Sequence, residues 1–305
     1  MTARWASLAI VTALASTVAS PGAVVAQSAA PPAAGTATMS TESFLARARA
    51  GTSRYRSQSA AVTDGYKRVG VEFPAMGEHW VHLGRVLEDS LIPERPSVLI
   101  YVNVDGEPRL AGVAYTDLLQ GGEASPSFPA PGGWHEHNGT VADESFPLAH
   151  EAMHATTTSA AAAAEPEMRL AVLHAWLWSA NPAGVFVTDN WSLPFLRLGI
   201  SPPPSAVPRD ALHALGLAAD EEGYLLLTLR TGLGLTMPEE AAASRVLSAH
   251  REQALGEAAR VRAARRLTSE TSDRLVAAWS DTWSALERAL PRRATALRTL
   301  RRQLG

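Results

Sequence analysis

The chain of 305 residues contains no cysteine. That absence excludes disulfides, thiolate metal ligands, thiol nucleophiles and lipid attachment at a cysteine. A bound metal would have to be held by histidine, carboxylate or amide groups. Lysine is almost missing too: Lys67 is the single lysine among 27 basic residues. With a sequence pI of about 6.3 and no recognition motif beside the arginines, the composition argues against nucleic-acid binding. No long apolar run follows residue 26, so the sequence predicts no transmembrane segment in the mature chain. What is present, 46% hydrophobic and 19% charged residues, is the balance of a folded globular protein rather than a disordered one.

Charge is unevenly placed. Residues 251–305 hold 12 arginines against 6 acids, a net of +6, which leaves −9 on residues 1–250. A basic tail of this kind docks on an acidic part of its own chain, meets an anionic surface, or is a solvated helix face.

Residues 1–26 have the layout of a secretory signal peptide. Arg4 precedes an apolar stretch from Leu8 to Val18, Pro21-Gly22 breaks it, and Val24-Val25-Ala26 forms a small-residue cleavage site before Gln27. This predicts a secreted or periplasmic protein, with a retained anchor as the alternative. Residues 27–40, rich in Ala, Pro, Gly and Ser, are expected to be a disordered linker. An α+β core domain is expected over 41–200 and a helical C-terminal subdomain over 201–305, divided at Ser201-Pro202-Pro203-Pro204.

Within the core, Thr41 reads as the N-cap of one or two short helical pieces that end before Gly70. Ser97–Val104 and Arg109–Thr116 flank Asp105-Gly106, a tight-turn pair, and predict a hairpin. A second hairpin is expected where Leu170–Trp178 meets the turn Asn181-Pro182-Ala183-Gly184 and returns as Val185–Val187. Strand alternation places Leu170, Val172, His174, Trp176 and Trp178 on one face. Past the proline run, Pro208–Leu217 predicts a helix stopped by Gly216. Tyr224–Leu229 is an apolar run that periodicity leaves undecided. Two helices, from Met237 to about Leu267 and from Thr268 to Pro291, are expected to pair. These elements add up to an α+β fold: an antiparallel β-sheet core with flanking short helices and a C-terminal helical subdomain.

The chemistry-bearing residues are histidines. His174 sits mid-strand between apolar neighbours, where an imidazole needs a hydrogen-bond partner or a metal. Met76-Gly77-Glu78-His79-Trp80 places His79 and Trp80 on opposite faces of an extended segment, and His82 off the face of His79. His135 and His137 are spaced for two imidazoles to converge on one ion, or to face solvent. His150-Glu151-Ala152-Met153-His154 matches H-E-x-x-H, in which a helix sets two histidines on zinc and the glutamate activates water. Against that reading stand Pro147 ahead of it and Thr156-Thr157-Thr158 behind it.

The combination of Met76-Gly77-x-His79-Trp80, Gly112-Val113-x-Tyr115 and Leu173-His174-Ala175-Trp176-Leu177-Trp178-x-x-Asn181-Pro182-x-Gly184-x-Phe186 resembles a family of uncharacterised secreted bacterial proteins with MGxH and LHxWxWxxNPxGxF elements. The resemblance spans Val69 to Gly199 and brings no established activity. It implies that His79, His174 and His137 belong to one recurrent set. The expected function is therefore an exported protein that binds a transition metal (zinc, copper or iron) or a small ligand through His79, His137 and His174, with His135 as a further member. The alternatives are a non-catalytic periplasmic or extracellular interaction module, with a protein partner and His174 donating to a backbone carbonyl, and a zinc hydrolase built on His150, Glu151 and His154.

Overall fold

The computed structural model describes residues 39–137 and 169–304, apart from residues 89, 121 and 222. The expected signal segment, the linker except Met39 and Ser40, and the His150–His154 pattern lie outside the described residues. Met39–Gly305 form one compact unit. Among the described residues no helix is long and apolar enough to cross a membrane.

The fold is α+β, as the alternation and turn chemistry predict. Its centre is a six-stranded antiparallel sheet in the order β1-β2-β3-β4-β6-β5. The strands are β1 (Lys67–Phe73), β2 (Gly77–Val81), β3 (Val98–Val104), β4 (Glu107–Leu119), β5 (Trp134–His137) and β6 (Arg169–Ala175). The Asp105-Gly106 hairpin forms as expected, with Val104 paired to Glu107 and positive φ at both turn residues (54° and 85°).

Alternation along the strands sorts the two faces. Leu99, Tyr101, Val113, Tyr115, Ala171 and Leu173 point to one side. There they meet Phe44 and Ala48 of α1 (Thr41–Thr52), Tyr55, and Ala61 of α2 (Gln58–Thr63). Ser40, rather than Thr41, caps α1 by accepting from the Ser43 N–H. Each of the buried tyrosines Tyr66, Tyr101 and Tyr115 donates its hydroxyl to a backbone carbonyl, those of Pro96, Tyr55 and Pro93. The other side carries Val81, Val98, Ile100, Ala114, Leu170, Val172 and Trp176.

That second side meets α4 (Leu193–Arg197), which follows the short α3 (Leu83–Val86) in the helix order. Leu193 packs against the sheet, while Phe195 enters the helical core. Arg197 pairs with Glu72 and donates to the Pro74 carbonyl at 2.7 Å, which pins α4 to the β1–β2 turn. The helical part comprises α5 (Arg209–Ala219), α6 (Tyr224–Leu233), α7 (Met237–Ala264), α8 (Ser269–Ala289) and α9 (Ala294–Leu304). The predicted apolar stripe of α8 is its buried face: Leu275, Trp279, Trp283 and Leu286. Several arginines of the basic tail pair with acids of the same chain, among them Arg274 with Glu257, Arg293 with Glu239 and Arg301 with Asp210. Arg293 and the capping contacts of Thr236 hold the Glu239 carboxyl down to about 2.

One open run is assigned and two expectations are corrected. The undecided run at Tyr224 is a helix, opened by backbone N–H groups of Tyr224 and Leu225 that donate to the Asp220 carboxylate. Val185–Val187 is not a strand. After Gly184 (φ 135°) only the bond from Trp176 N–H to the Val185 carbonyl continues a ladder, and side chains take the next carbonyls. Finally, Gly216 lies inside α5 instead of ending it, because a β-carbon there would stand 2.7 Å from the Pro74 Cβ. Gly216→Ala would gain about 1 kcal/mol of helix propensity and lose about 2 kcal/mol to overpacking. A lowered urea midpoint with an unchanged slope is the expected result.

Candidate histidine site on the concave sheet face

His79 and His174 lie on β2 and β6, with β3 and β4 between them. On a flat sheet, three strand spacings of about 4.8 Å would hold them about 14 Å apart. Their ring centroids are 5.9 Å apart. The sheet is therefore strongly curled, with its concave side on the histidine face. Two sequence features permit this. The register slips between Ile100 and Tyr101, a bulge that increases local twist. The residues under the histidines are small: Gly112 opposes Ile100, and Ala114 opposes His174. A β-carbon at Gly112 would come within 3.0 Å of the Trp176 ring and of the Ala175 carbonyl.

His135 joins the row from the far edge. It stands opposite Val172, so it shares that residue's face, and its ring lies perpendicular to His174 at 5.2 Å. The result is a row of three imidazoles, His79–His174–His135. Phe73 packs edge-on at one end, 5.3 Å from His79, and Trp176 stands perpendicular to the middle ring at 6.0 Å. His79 and His174 are each 3% exposed, deep enough for water to compete poorly with a ligand.

The middle ring has a defined tautomer. Its Nδ1 lies 2.8 Å from the Thr188 carbonyl oxygen. A carbonyl can only accept, so Nδ1 carries the proton, and in the neutral ring Nε2 carries the lone pair. Metal-ligating histidines are oriented by the same kind of bond. The bond alone serves a core histidine equally well; the two neighbouring imidazoles are what set this position apart. Thr188 also places its hydroxyl 3.2 Å from the Nδ1 of His135. One residue outside the sheet thus orients two rings of the row. Nothing in the sequence marks Thr188, because its partners stand 14 and 53 positions away.

The remaining candidates distribute as follows. His137 takes the β5 position opposite Leu170, and its side chain is outside the described set. His82 caps α3 by accepting from the Arg85 N–H, which accounts for it structurally. Trp178, expected beside His174, lies on the opposite side of the sheet. The strand ends at Ala175 and the chain turns, so Trp178 packs near α1, donates to the Thr52 hydroxyl and lies under the Arg49 guanidinium. Trp176 keeps the predicted face and donates to the Val187 carbonyl at 2.7 Å.

Among the described residues, no three His, Asp or Glu side chains stand in an arrangement that holds a metal ion unaided. The row offers two adjacent imidazole pairs with His174 common to both. Such a row can share a proton, bind an anion when protonated, or supply part of a metal's ligand set. The chain matches no known protein-family model, no curated protein and no solved structure.

Proposed function

We propose that the protein is exported and binds a transition metal (zinc, copper or iron) or a small ligand through His174, His79 and His135, with His137 completing the set. The observation that supports this reading is the His174 Nδ1–H bond to the Thr188 carbonyl inside a row of three imidazoles. It presents Nε2 as the ligating nitrogen of the central residue. The metal reading also agrees with the sequence, which leaves histidine as the strongest available donor in a chain without cysteine. The resemblance to secreted proteins with MGxH and LHxWxWxxNPxGxF elements is part of the same proposal. A second reading, a non-catalytic interaction module whose histidines form a buried polar network, is supported by the Thr188 contacts to His174 and His135.

Elemental analysis separates the readings. Untagged protein, purified without chelator and equilibrated separately with zinc, copper and iron salts, is expected to retain about one ion per chain. His174→Ala and His79→Ala are expected to lose it, and His150→Ala to keep it. Thr188→Val, which removes the hydroxyl beside His135 and keeps the backbone carbonyl, is expected to weaken binding about tenfold. Absence of metal from the wild-type protein under all three conditions would sink the metal reading in favour of the interaction module. Loss in His150→Ala alone would move the site to the H-E-x-x-H pattern.

A further inference from the structure

A cavity of about 160 Å³ lies between the β1–β2 turn and the helical part. It is lined by aromatic rings and carboxylates together: Phe73, Tyr224, Trp191, His213 and Trp279, with Asp189 and Asp220. The rings form two groups. His213 stacks on Trp279 at 5.1 Å and meets Trp191 edge-on at 4.6 Å, while Phe73 and Tyr224 meet edge-on at 5.0 Å.

The two carboxylates differ in what they already do. Asp220 is committed to the first turn of α6 through the Tyr224 and Leu225 N–H groups. Asp189 has no ion pair among the described residues, and the Trp191 indole N–H is its polar neighbour. Burial pushes its carboxyl up, opposed by the Arg209 guanidinium through space and by the Trp191 indole N–H. A desolvated carboxylate without a contacting cation is costly unless something positive completes it. Among the described residues no cation is in contact with it: Arg209 lies over the Trp191 ring at 5.0 Å and acts on Asp189 through space.

We propose that this cavity is a binding site for a small organic cation of the alkylammonium class, with Asp189 as counter-ion and the rings of Trp191, Trp279 and Tyr224 as walls. Aromatic faces attract a cation through their quadrupole, most strongly when water is excluded, and quaternary ammonium groups use this arrangement widely. The cavity is smaller than the about 300–1,000 Å³ of pockets for drug-sized ligands, which restricts it to a headgroup. An anion is disfavoured by the two carboxylates. A purely apolar ligand would leave Asp189 uncompensated. The site shares Phe73 with the end of the histidine row, while none of the proposed walls and neither carboxylate belongs to the row.

Isothermal titration of the full-length chain with choline tests the inference, with its uncharged carbon isostere, dimethylbutanol, run beside it. Choline is expected to bind saturably at one site per chain and to quench indole fluorescence. Dimethylbutanol is expected to bind at least about tenfold more weakly, the size of a desolvated cation–π and charge contribution. Asp189→Asn is expected to weaken choline about tenfold and leave dimethylbutanol unchanged. The proposal is overturned if choline gives no saturable heat, if both probes bind equally to the wild-type protein, or if folded Asp189→Asn binds choline as before. The comparison of the two probes on unaltered protein needs no variant to fold.

Discussion

Gly77→Ala is expected to destabilise the protein by about 3 kcal/mol and to disturb the histidine row. Gly77 has a φ of 70°, in the left-handed region, and an alanine β-carbon there would stand 2.3 Å from the Tyr101 carbonyl oxygen. The left-handed backbone alone costs alanine about 1 kcal/mol. The contact costs more, because a backbone oxygen in the centre of a sheet cannot swing aside. Relief requires β2 to lift from β3, and the neighbouring pairs are Glu78 with Tyr101 and His79 with Ile100. Damage at Gly77 is therefore transmitted two residues on, to the ring that opens the histidine row. Gly106→Ala is the control: its φ is 85°, but a β-carbon there meets nothing within 4 Å. That variant is expected to lose only about 1 kcal/mol. Equal urea midpoints for the two variants would show that the approach to Tyr101 is not the cause.

Asp64→Ala is expected to cost about 3 kcal/mol, more than removing the arginine it serves. Arg85 is 8% exposed and donates to the Asp64 carboxylate at 2.6 Å and to the Tyr66 hydroxyl. The same Tyr66 hydroxyl donates onward to the Pro96 carbonyl. Without Asp64 the guanidinium remains buried with no carboxylate partner, whereas the double variant Asp64→Asn, Arg85→Met replaces both members of the pair. The double variant is accordingly expected to be more stable than Asp64→Ala, and the reverse order in urea melts would refute the account.

The same network gives a pH dependence. Burial pushes the Asp64 carboxyl up, but the Tyr55 hydroxyl and the Arg85 and Arg54 guanidinium groups outweigh it and hold it below the ordinary aspartate range. A carboxyl with a depressed folded-state value stabilises the fold above its unfolded value and loses that contribution as pH falls through the folded one. Between about pH 5 and about pH 2 the wild-type protein is expected to lose stability faster than Asp64→Asn. Parallel curves would remove Asp64 from the account.

The alternating and turn patterns that local chain geometry imposes were enough to predict the antiparallel sheet, the Asp105-Gly106 hairpin, the pieces of helix before Gly70 and the buried stripe of α8. Each of these depends on neighbours within a few residues, so sequence spacing carries the information. The face of His174 followed from the period of two, and so did the face of Trp176. Trp178 did not follow, because the strand ends at Ala175 and the period stops with it. Gly216 read as a helix stop when only its local propensity was considered; it is a point of close approach to Pro74, 142 positions earlier in the chain.

The sequence by itself determined the elements, the absence of thiol chemistry and the choice of histidine as the candidate ligand. Only the tertiary structure decided which histidines meet. The curl of the sheet over Gly112 and Ala114 brings His79 to His174 across two intervening strands, a distance that no spacing rule along the chain encodes. Thr188 orients two of the rings, and the cavity around Asp189 gathers aromatic groups from the end of β1, Trp191 and helices α5, α6 and α8. Such groupings arise because side chains from separate elements are packed against one another, and packing is set by the whole set of contacts rather than by any local pattern.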